Sequence, residues 1–332
     1  MTKKDLDKIF ASFSKVRALI IGDAMVDAYI WGRVNRLSPE APVPVVTVDK
    51  KETRLGGAAN VALNIQAMGA TPILCSVIGD DMYGREFIEL MEKQKLSTQA
   101  IVKSAKRVTT VKTRVIGNNH HLLRVDEEVE SDVSRSETGE MLDKIFFLIK
   151  NSMIDVIVFE DYDKGVINHD LIHKVVIEAA KKKIPVAVDP KKKNFSVYKN
   201  VTLFKPNLKE LKEGLKFDFD IANKEVLSKV ADELKTRQGI DNILITLSEK
   251  GMFIASKKSK HIVPAHTRSI ADVSGAGDTV VSIAALCLAI KLDPLLMTEL
   301  SNISGGLVCE KVGVVPIDKG QFLQECITLL TK

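Results

Sequence analysis

The sequence DVSGAGD at residues 272–278 runs directly into the apolar stretch TVVSIAALCLAI at residues 279–290. The glycines at 275 and 277 allow backbone N–H groups to turn inward where a helix begins, and the positive end of the helix dipole favours an anion there. Asp278 then falls in the first helical turn, beside that anion site. One short segment therefore offers both a general base and a place for developing negative charge, the two features that phosphoryl transfer requires.

Short apolar runs alternate with amphipathic stretches along most of the chain. Buried strands are predicted at residues 18–21, 73–78, 156–159, 185–188, 203–204 and 243–246, and later helices around residues 135–150, 169–182, 208–215 and 224–237. This alternation predicts an α/β fold with a doubly wound, mostly parallel central sheet flanked by helices. Ligands bind such sheets beyond the carboxyl ends of the strands, so the polar residues there are expected to share one rim. These residues are Asp23, Asp27, Glu160, Asp161, Asp189, Asn207 and Ser248.

Two further stretches, residues 29–48 and 108–125, are rich in β-branched and aromatic residues. Prolines interrupt the first stretch, which favours edge strands over a buried parallel sheet. The second stretch has hairpin character around Gly117-Asn118-Asn119. We expect the two stretches to form a small β-sheet lid inserted in a single domain of residues 1–332, because no internal repeat or Pro/Gly/Ser-rich linker divides the chain.

The composition excludes several classes of protein. With 45% hydrophobic and 27% charged residues the chain is typical of a globular enzyme. The net charge of +5 is modest, and the lysines lie in short runs without interleaved aromatic residues, which argues against a nucleic-acid partner. Residues 1–10 are too charged for a signal peptide, and the run at 279–290 is shorter than the roughly 18 residues that span a bilayer. We therefore expect a cytoplasmic protein, away from the membrane, with its widely spaced cysteines reduced.

Several common catalytic motifs are missing from the sequence. It has no G-x-x-x-x-G-K-[ST] motif, no G-x-G-x-x-G between a strand and a helix, and no G-x-S-x-G, which argues against P-loop, Rossmann and α/β-hydrolase sites. The histidines lack the spacing of metal ligands, so no histidine metal centre is expected.

Other segments admit both a structural and a functional interpretation. Gly56-Gly57 with Asn60 is either a closely packed helix start or a place where an amide bridges sugar hydroxyls. Asp27, expected in the loop after the first strand, is either a turn carboxylate or a second carboxylate for binding hydroxyls. Asn207 and Glu210 form either a capping box or an indirect, water-mediated site for Mg²⁺. Asp189-Pro190-Lys191 and residues 246–251 are either surface turns or parts of the same rim.

Together these motifs resemble the ribokinase/PfkB family of carbohydrate kinases over nearly the whole chain. The two family signatures correspond to Gly56-Gly57-x-x-Asn60 and to residues 272–278. Further matches are Gly22-Asp23 with Asp27, Gly79-Asp80-Asp81-x-x-Gly84, Asp189-Pro190-Lys191, Asn207-x-x-Glu210, residues 246–251 and Glu310-Lys311-Val312-Gly313. The resemblance implies a ribokinase-like fold and an ATP-dependent sugar kinase that uses Mg²⁺, and it leaves open a monovalent cation such as K⁺.

Within that family, three segments resemble the bacterial D-glycero-β-D-manno-heptose-7-phosphate kinases: residues 29–45, Asp161-Tyr162-x-Lys164-Gly165, and the Val273-Ser274 form of the second signature. The resemblance implies phosphorylation of the anomeric C1 hydroxyl of D-glycero-D-manno-heptose 7-phosphate to heptose 1,7-bisphosphate, on the route to ADP-heptose and lipopolysaccharide core. The alternatives are another sugar kinase of this fold, such as a fructokinase or a phosphofructokinase-like enzyme, and, more remotely, a non-catalytic sugar-binding regulator. His120-His121 departs from the two glutamines common in such relatives.

The resemblance also implies roles for individual residues. Asp278 would take the proton of the anomeric hydroxyl, and backbone N–H groups of Gly275, Ala276 and Gly277 would hold charge on the phosphoryl oxygens. The sugar-binding residues would be Asp27, Gly56, Gly57 and Asn60. The nucleotide-binding residues would be Asp189, Lys191, Asn207, Glu210, Ser248 and Gly251, with Asn207 and Glu210 holding Mg²⁺ through water. The candidate cations for the 7-phosphate are Arg33, Arg36, Lys112, Arg114, Arg124 and Lys164.

Two partners follow from the same resemblance. Lids in this family often pair between subunits, so a homodimer through the lid is expected. Many of the heptose kinases continue into a nucleotidyltransferase domain with an H-x-G-H site. The sequence ends at Lys332 without this motif, so a separate nucleotidyltransferase is expected.

Overall fold

The computed structural model describes residues 1–118, 120–216 and 224–331. Within them the strands are β1 (Arg17–Gly22), β2 (Ala24–Leu37), β3 (Pro44–Gly57), β4 (Thr71–Gly79), β5 (Ile101–Ser104), β6 (Thr110–Gly117), β7 (His120–Glu127), β8 (Val156–Glu160), β9 (Val186–Asp189), β10 (Leu203–Phe204), β11 (Asn242–Thr246), β12 (Met252–Ala255) and β13 (Lys260–Val263). The α-helices are α1 (Lys3–Phe13), α2 (Ala58–Ala67), α3 (Met82–Lys93), α4 (Arg135–Lys150), α5 (His169–Lys182), α6 (Leu208–Leu215), α7 (Lys224–Gln238), α8 (Ala276–Ala289), α9 (Pro294–Val308) and α10 (Lys319–Leu330). Asn119, which we predicted in a hairpin turn, lies outside the described residues.

The larger of two sheets has the strand order β13-β12-β11-β10-β9-β8-β1-β4-β5 among the described residues. Neighbouring strands from β11 to β5 are parallel, whereas β12 and β13 are antiparallel to their neighbours. The central strands are apolar and covered on both faces, and residues 18–21 of β1 have no exposed surface. The predicted doubly wound, mostly parallel α/β fold is therefore confirmed.

Helices cover both faces of this sheet. Side chains of α1, α2, α3, α8, α9 and α10 pack on one face, and those of α4 to α7 pack on the other. Residues 278–287 of α8 are all buried, because this helix packs against α2 and α9 as well as against the sheet. The first turn of α8 is thus fixed relative to the strand ends. None of the helices in the described ranges is long and apolar enough to cross a membrane.

The carboxyl ends of the central strands align at one rim. Gly22 of β1 lies beside Glu160 of β8, and Glu160 lies beside Asp189 of β9. Phe204 of β10 pairs with Val188 of β9, so the chain leaves β10 next to Asp189. Polar residues that follow different strands in sequence are therefore neighbours in space, as the strand pattern predicted.

The second sheet has the order β3-β2-β6-β7 and contains both stretches predicted to form a lid. We call it the lid sheet. Strands β2 and β3 are antiparallel, β2 and β6 are parallel, and β6 and β7 are antiparallel. The prediction that Asp27 lies in a loop was wrong, since Asp27 is within β2, opposite Arg54. The reason is that β2 pairs with β3 from Ala24 onward and leaves no free loop after β1.

Candidate active site

The beginning of α8 is a glycine turn without a side-chain cap, and it lines a cavity. Gly275 precedes the helix with a φ of 79°, in the left-handed region that favours glycine. A Cβ atom at Gly275 would lie 2.9 Å from Nδ2 of Asn60, so a side chain there would displace that amide. No side chain caps this helix, and residues 275–278 line the adjoining cavity. The uncapped amides and the helix dipole together favour an anion at this position.

Asp278 is held by two hydrogen-bond donors from distant parts of the chain. It is 5% exposed and lies in the first turn of α8. Nδ2 of Asn60 donates to Oδ2 at 2.7 Å, and the hydroxyl of Tyr162 donates to Oδ1 at 2.7 Å. Burial raises the pKa of the Asp278 carboxyl while the two donors lower it, and the net direction is upward. A fixed carboxylate with a raised pKa is suited to accept a proton.

Asn60 is itself fixed by a buried network. Its Oδ1 accepts a hydrogen bond from Nδ2 of Asn64 at 3.3 Å. Oδ1 of Asn64 accepts one from Oγ1 of Thr279 at 3.2 Å, which returns the network to α8. We had two interpretations of Asn60, as part of a packed helix start or as a ligand of sugar hydroxyls. Its amide donates to Asp278, a contact that neither interpretation included, and the binding of sugar hydroxyls by Asn60 stays a prediction.

Three predicted sugar-binding residues meet where the lid sheet joins the large sheet. A Cβ atom at Gly56 would lie 2.1 Å from Oδ2 of Asp27, so the missing side chain makes room for that carboxylate. Asp27 is 2% exposed and forms an ion pair with Arg114. The Arg114 guanidinium also lies 5.4 Å from the centre of the Tyr29 ring. Gly57 has a φ of 58°, and this turn starts α2, which carries Asn60.

A cavity of about 990 Å³ adjoins Asp278. The residues predicted to act in catalysis and nucleotide binding all line it: Asp189, Lys191, Asn207, Glu210, Ser248, Gly251, Gly275, Ala276, Gly277 and Asp278. The predicted sugar-binding residues Asp27, Gly56, Gly57 and Asn60 are not among the residues that line it. Asp278 therefore lies at the edge of the cavity. Asn60, one of the predicted sugar-binding residues, contacts Asp278 through its side-chain amide.

Asn207 and Glu210 form the capping box that one interpretation predicted. The Glu210 backbone N–H donates to Oδ1 of Asn207 at 2.8 Å, and the Asn207 N–H donates to Oε2 of Glu210 at 2.8 Å. Glu210 also forms an ion pair with Lys191. In the part of the chain that the structure describes, no group of three or more His, Cys, Asp or Glu residues could hold a metal directly. An amide and a carboxylate in these positions fit a hydrated Mg²⁺ held through its waters.

Five of the six cations predicted for the sugar phosphate form ion pairs, and some of these pairs share a carboxylate. These pairs are Arg33 with Asp49, Lys112 with Asp126 and Glu128, Arg114 with Asp27, Arg124 with Asp126, and Lys164 with Glu128 and Glu130. Arg36 forms no ion pair with any described residue. Lys112 and Lys164 share Glu128 and are 13% and 12% exposed, whereas Arg33 is 63% exposed. His120 and His121 are exposed on β7.

Three residues at the cavity or behind it had no predicted role in the site, although Glu160 was expected at the rim and Tyr162 lies in a segment that resembles the heptose kinases. Tyr162 bonds to Asp278, and Lys205 forms a buried ion pair with Asp189 at 2.8 Å. Glu160 is buried near both, and burial followed by the Asp189 and Asp278 charges raises its pKa well above the usual range. Tyr162 and Glu160 follow or end a predicted strand, which is a usable signal. Lys205 directly follows a predicted apolar strand, and a lysine in that position could have been predicted to lie at the rim.

Comparison with known proteins defines the class of this protein. The sequence model described as "pfkB family carbohydrate kinase" matches residues 16–319. The chain therefore belongs to the pfkB family, and it is an ATP-dependent carbohydrate kinase.

Relatives named "Bifunctional protein HldE" are similar over most of this chain. The protein from Geotalea uraniireducens is 35% identical over 327 residues, covering 98% of this chain and 66% of the relative. The protein from Caulobacter sp. strain K31 is 39% identical over 310 residues, covering 93% and 62%. That from Helicobacter pylori strain HPAG1 is 38% identical over 298 residues, covering 90% and 63%. The chain thus spans slightly less than two thirds of the length of these relatives.

Solved structures are similar in fold. Escherichia coli phosphofructokinase-2 in complex with potassium has a TM-score of 0.77 at 17% identity, covering 96% of this chain and 99% of that one. Arabidopsis thaliana ribokinase complexed with ribose and ATP has a TM-score of 0.72 at 14% identity, covering 94% and 98%. The ribokinase-like fold that we expected is confirmed.

Proposed function

We propose that this kinase transfers the γ-phosphoryl group of ATP to the anomeric C1 hydroxyl of D-glycero-D-manno-heptose 7-phosphate, giving heptose 1,7-bisphosphate for ADP-heptose and lipopolysaccharide core synthesis. The observation that carries phosphoryl transfer is the Asp278 carboxylate, which two donors hold beside the uncapped amides of α8. The choice of a heptose rests on the resemblance of residues 29–45 to heptose-7-phosphate kinases. The similarity to the HldE relatives supports the same choice.

Asp278 is the proposed general base. As the C1 oxygen attacks the γ-phosphorus, its proton passes to Asp278, and the bond from the γ-phosphorus to the bridging oxygen of ADP breaks. No covalent enzyme intermediate is required. Amides of residues 275–278 would stabilise the charge on the phosphoryl oxygens. Asn60 and Tyr162 both donate to the charged form of Asp278, so in this proposal they keep the base ionised despite its burial.

The sugar is proposed to bind on the lid side of Asp278. Asp27 would accept hydrogen bonds from sugar hydroxyls, and Gly56 and Gly57 would allow the sugar to approach the backbone closely. Support comes from the burial of Asp27 and from Gly56, where the absence of a side chain leaves room for the Asp27 carboxylate. Lys112 in the lid sheet and Lys164 after β8 are favoured for the 7-phosphate, because both are largely buried and share the Glu128 carboxylate.

The nucleotide is proposed to occupy the cavity between Asp278 and residues 248–251. Asp189, Lys191, Ser248 and Gly251 would border it, and Asn207 with Glu210 would hold Mg²⁺ through water. Bound Mg²⁺ would neutralise phosphate charge. Phosphofructokinase-2, which is similar in fold, has been solved in complex with potassium, and a monovalent cation is proposed here on that likeness alone.

We also propose a homodimer formed through the lid sheet. The sheet carries exposed apolar side chains, including Leu37 at 63%, Leu123 at 59% and Val48 at 46% exposure. Exposed apolar groups on one element are typical of a surface that another chain covers. A closed lid would also exclude water from the sugar and limit wasteful hydrolysis of ATP. Light scattering at micromolar concentration should give the mass of a dimer, and the mass of a monomer would contradict this part of the proposal.

The substrate proposal is tested with a panel of sugars. The kcat/KM for sugar-dependent ADP release is measured with heptose 7-phosphate, fructose, fructose 6-phosphate, fructose 1-phosphate and ribose. We expect heptose 7-phosphate to exceed each of the others by at least about 100-fold, which is about 2.7 kcal/mol in transition-state binding. A preference for a fructose phosphate or free fructose would indicate a phosphofructokinase-like enzyme or a fructokinase. Sugar binding without any ADP release would indicate a non-catalytic regulator.

A further inference from the structure

Lys205 is a deeply buried lysine with one ion-pair partner among the described residues. It directly follows β10 and is 2% exposed, although lysine is rarely so deeply buried unless its charge is balanced. Its Nζ lies 2.8 Å from Oδ2 of Asp189. The other Asp189 oxygen, Oδ1, is buried and has no hydrogen-bond partner among the described residues. This buried pair is therefore incompletely satisfied within the chain.

The ion pair lies against the glycine turn that begins α8. A Cβ atom at Gly277 would be 3.7 Å from Nζ of Lys205 and 3.6 Å from Oδ2 of Asp189. Lys205, Asp189 and Gly277 all line the cavity that adjoins Asp278. The ammonium is therefore next to the same backbone amides that form the anion site.

Lys205 keeps its charge in this environment. Burial lowers the pKa of the ammonium, but Asp189, Glu210 and Glu160 outweigh it, and the net direction is upward. An ammonium has three N–H donors. Asp189 is its one ion-pair partner in the described ranges, so donors remain for an anion in the cavity. Lys191 differs, because it pairs with Glu210 and lies 5.4 Å from the centre of the Tyr162 ring.

We infer that Lys205 donates a hydrogen bond to the γ-phosphoryl group of ATP during its transfer, and that Asp189 is a positioning residue that holds the ammonium against Gly277. This inference rests on the proposed function. As the bond to ADP breaks and the bond to the sugar oxygen forms, charge is spread over the peripheral phosphoryl oxygens. A fixed ammonium beside the backbone amides neutralises that charge in a site from which water is excluded. Asp278, not Lys205, receives the proton.

The first test is Lys205→Met, which removes the charge and keeps a long side chain. We expect kcat to fall about 10²- to 10³-fold, the loss typical of one donor to a developing anion. The affinity for ATP, measured by titration calorimetry, should fall about 10-fold while the affinity for ADP changes less than about 3-fold, because ADP lacks the γ-phosphoryl group. Lys257→Met is the matched control, since it breaks an exposed lysine–aspartate pair with Asp241. It should leave all three quantities unchanged.

A second test separates phosphate binding from neutralisation of Asp189. If Lys205 only balances a buried carboxylate, the double variant Lys205→Met/Asp189→Asn should recover the kcat of Asp189→Asn alone. If Lys205 contacts the phosphoryl group, the double variant should stay at least about 30-fold slower than Asp189→Asn. The double variant removes the Asp189 charge that Lys205 pairs with, so it also serves if Lys205→Met alone does not fold.

Two results would overturn the inference: an equal loss of ATP and ADP affinity in Lys205→Met, or recovery of kcat in the double variant. The proposed function fails in a different way. In that case the wild type binds ATP but releases no ADP with any sugar of the panel. The ratio of ATP to ADP affinity would still report whether Lys205 contacts the γ-phosphoryl group.

Discussion

Two ion pairs, one beside Gly277 on the nucleotide side and one at Arg33 in the lid sheet, differ sharply in burial. On the nucleotide side, the side chains of Lys205 and Asp189 are 3% and 5% exposed. On the lid side, Arg33 and Asp49 are 63% and 45% exposed. A buried pair is costly to break, whereas an exposed pair contributes about 0–1 kcal/mol and is easily exchanged for another partner. We propose that the chemistry depends on groups on the nucleotide side that are fixed before substrate binds, and that groups on the lid side contribute mainly to sugar binding.

The largest effect is expected at the base itself. Asp278→Asn should lower kcat by about 10²- to 10⁴-fold, because an amide cannot take the proton of the anomeric hydroxyl. Steady-state kinetics measures the loss, and calorimetry with ATP and a thermal melt serve as controls. ATP affinity and folding should be retained. Turnover within about 3-fold of the wild type would remove Asp278 from the role of base.

The second largest fall in kcat is expected from a substitution in the turn that begins α8. Gly275→Ala places a Cβ atom 2.9 Å from Nδ2 of Asn60 at a φ of 79°, so it displaces a donor to Asp278 and strains the backbone. We expect kcat to fall about 30- to 100-fold. Gly139→Ala is the matched control, because a Cβ atom there has no neighbour within 4 Å. Equal activity of the two variants would show that the turn tolerates a side chain.

A smaller effect is expected from Tyr162→Phe, which removes one donor to Asp278. The Tyr162 hydroxyl lowers the pKa of that carboxyl, so its loss raises the pKa further. Because the base acts when deprotonated, the acid limb of the kcat–pH profile should move to higher pH, with kcat at neutral pH reduced about 10-fold. Tyr83→Phe, at a half-buried tyrosine on α3, is the control. An unshifted acid limb would show that Tyr162 does not tune Asp278.

The smallest effect is expected on the lid side, and it should appear in KM. Lys112→Met should raise the KM for the sugar phosphate about 3- to 10-fold and leave kcat within about 2-fold, because it removes binding that is equal in the ground and transition states. Lys174→Met breaks an exposed pair with Asp170 on α5 and is the matched control. A loss confined to kcat would contradict the division between the two sides of Asp278.

Much of the nucleotide side could be predicted from the sequence. Alternating apolar runs predicted the parallel sheet, and residues at the strand ends were expected at one rim. The residues from Asp189 to Asp278 in our predicted set do line one cavity. These residues could be placed together because apolar strand runs and glycine turns are local features of the sequence, and the carboxyl ends of parallel strands meet at one rim.

The contacts that hold the base could not be predicted. Asn60 and Tyr162 are 218 and 116 residues from Asp278 along the chain, and nothing in their local sequence says that they meet. Asp27 was misplaced because the pairing of β2 with β3 depends on residues about 30 positions away. The candidate phosphate-binding cations were not ranked, since the carboxylates that pair with Arg33 and Lys112 lie on neighbouring strands, a pairing that the local sequence does not show.

The position of the phosphate in the product decides whether Asp278 acts on the anomeric hydroxyl. The wild type is incubated with ATP, Mg²⁺ and heptose 7-phosphate, and the product is analysed by ³¹P NMR with proton coupling. If Asp278 deprotonates the anomeric hydroxyl, a second sugar phosphate signal should appear, coupled to the proton on C1, with one ADP formed per phosphate transferred. A phosphate on another carbon, or ADP without a new sugar phosphate, would contradict this role of Asp278.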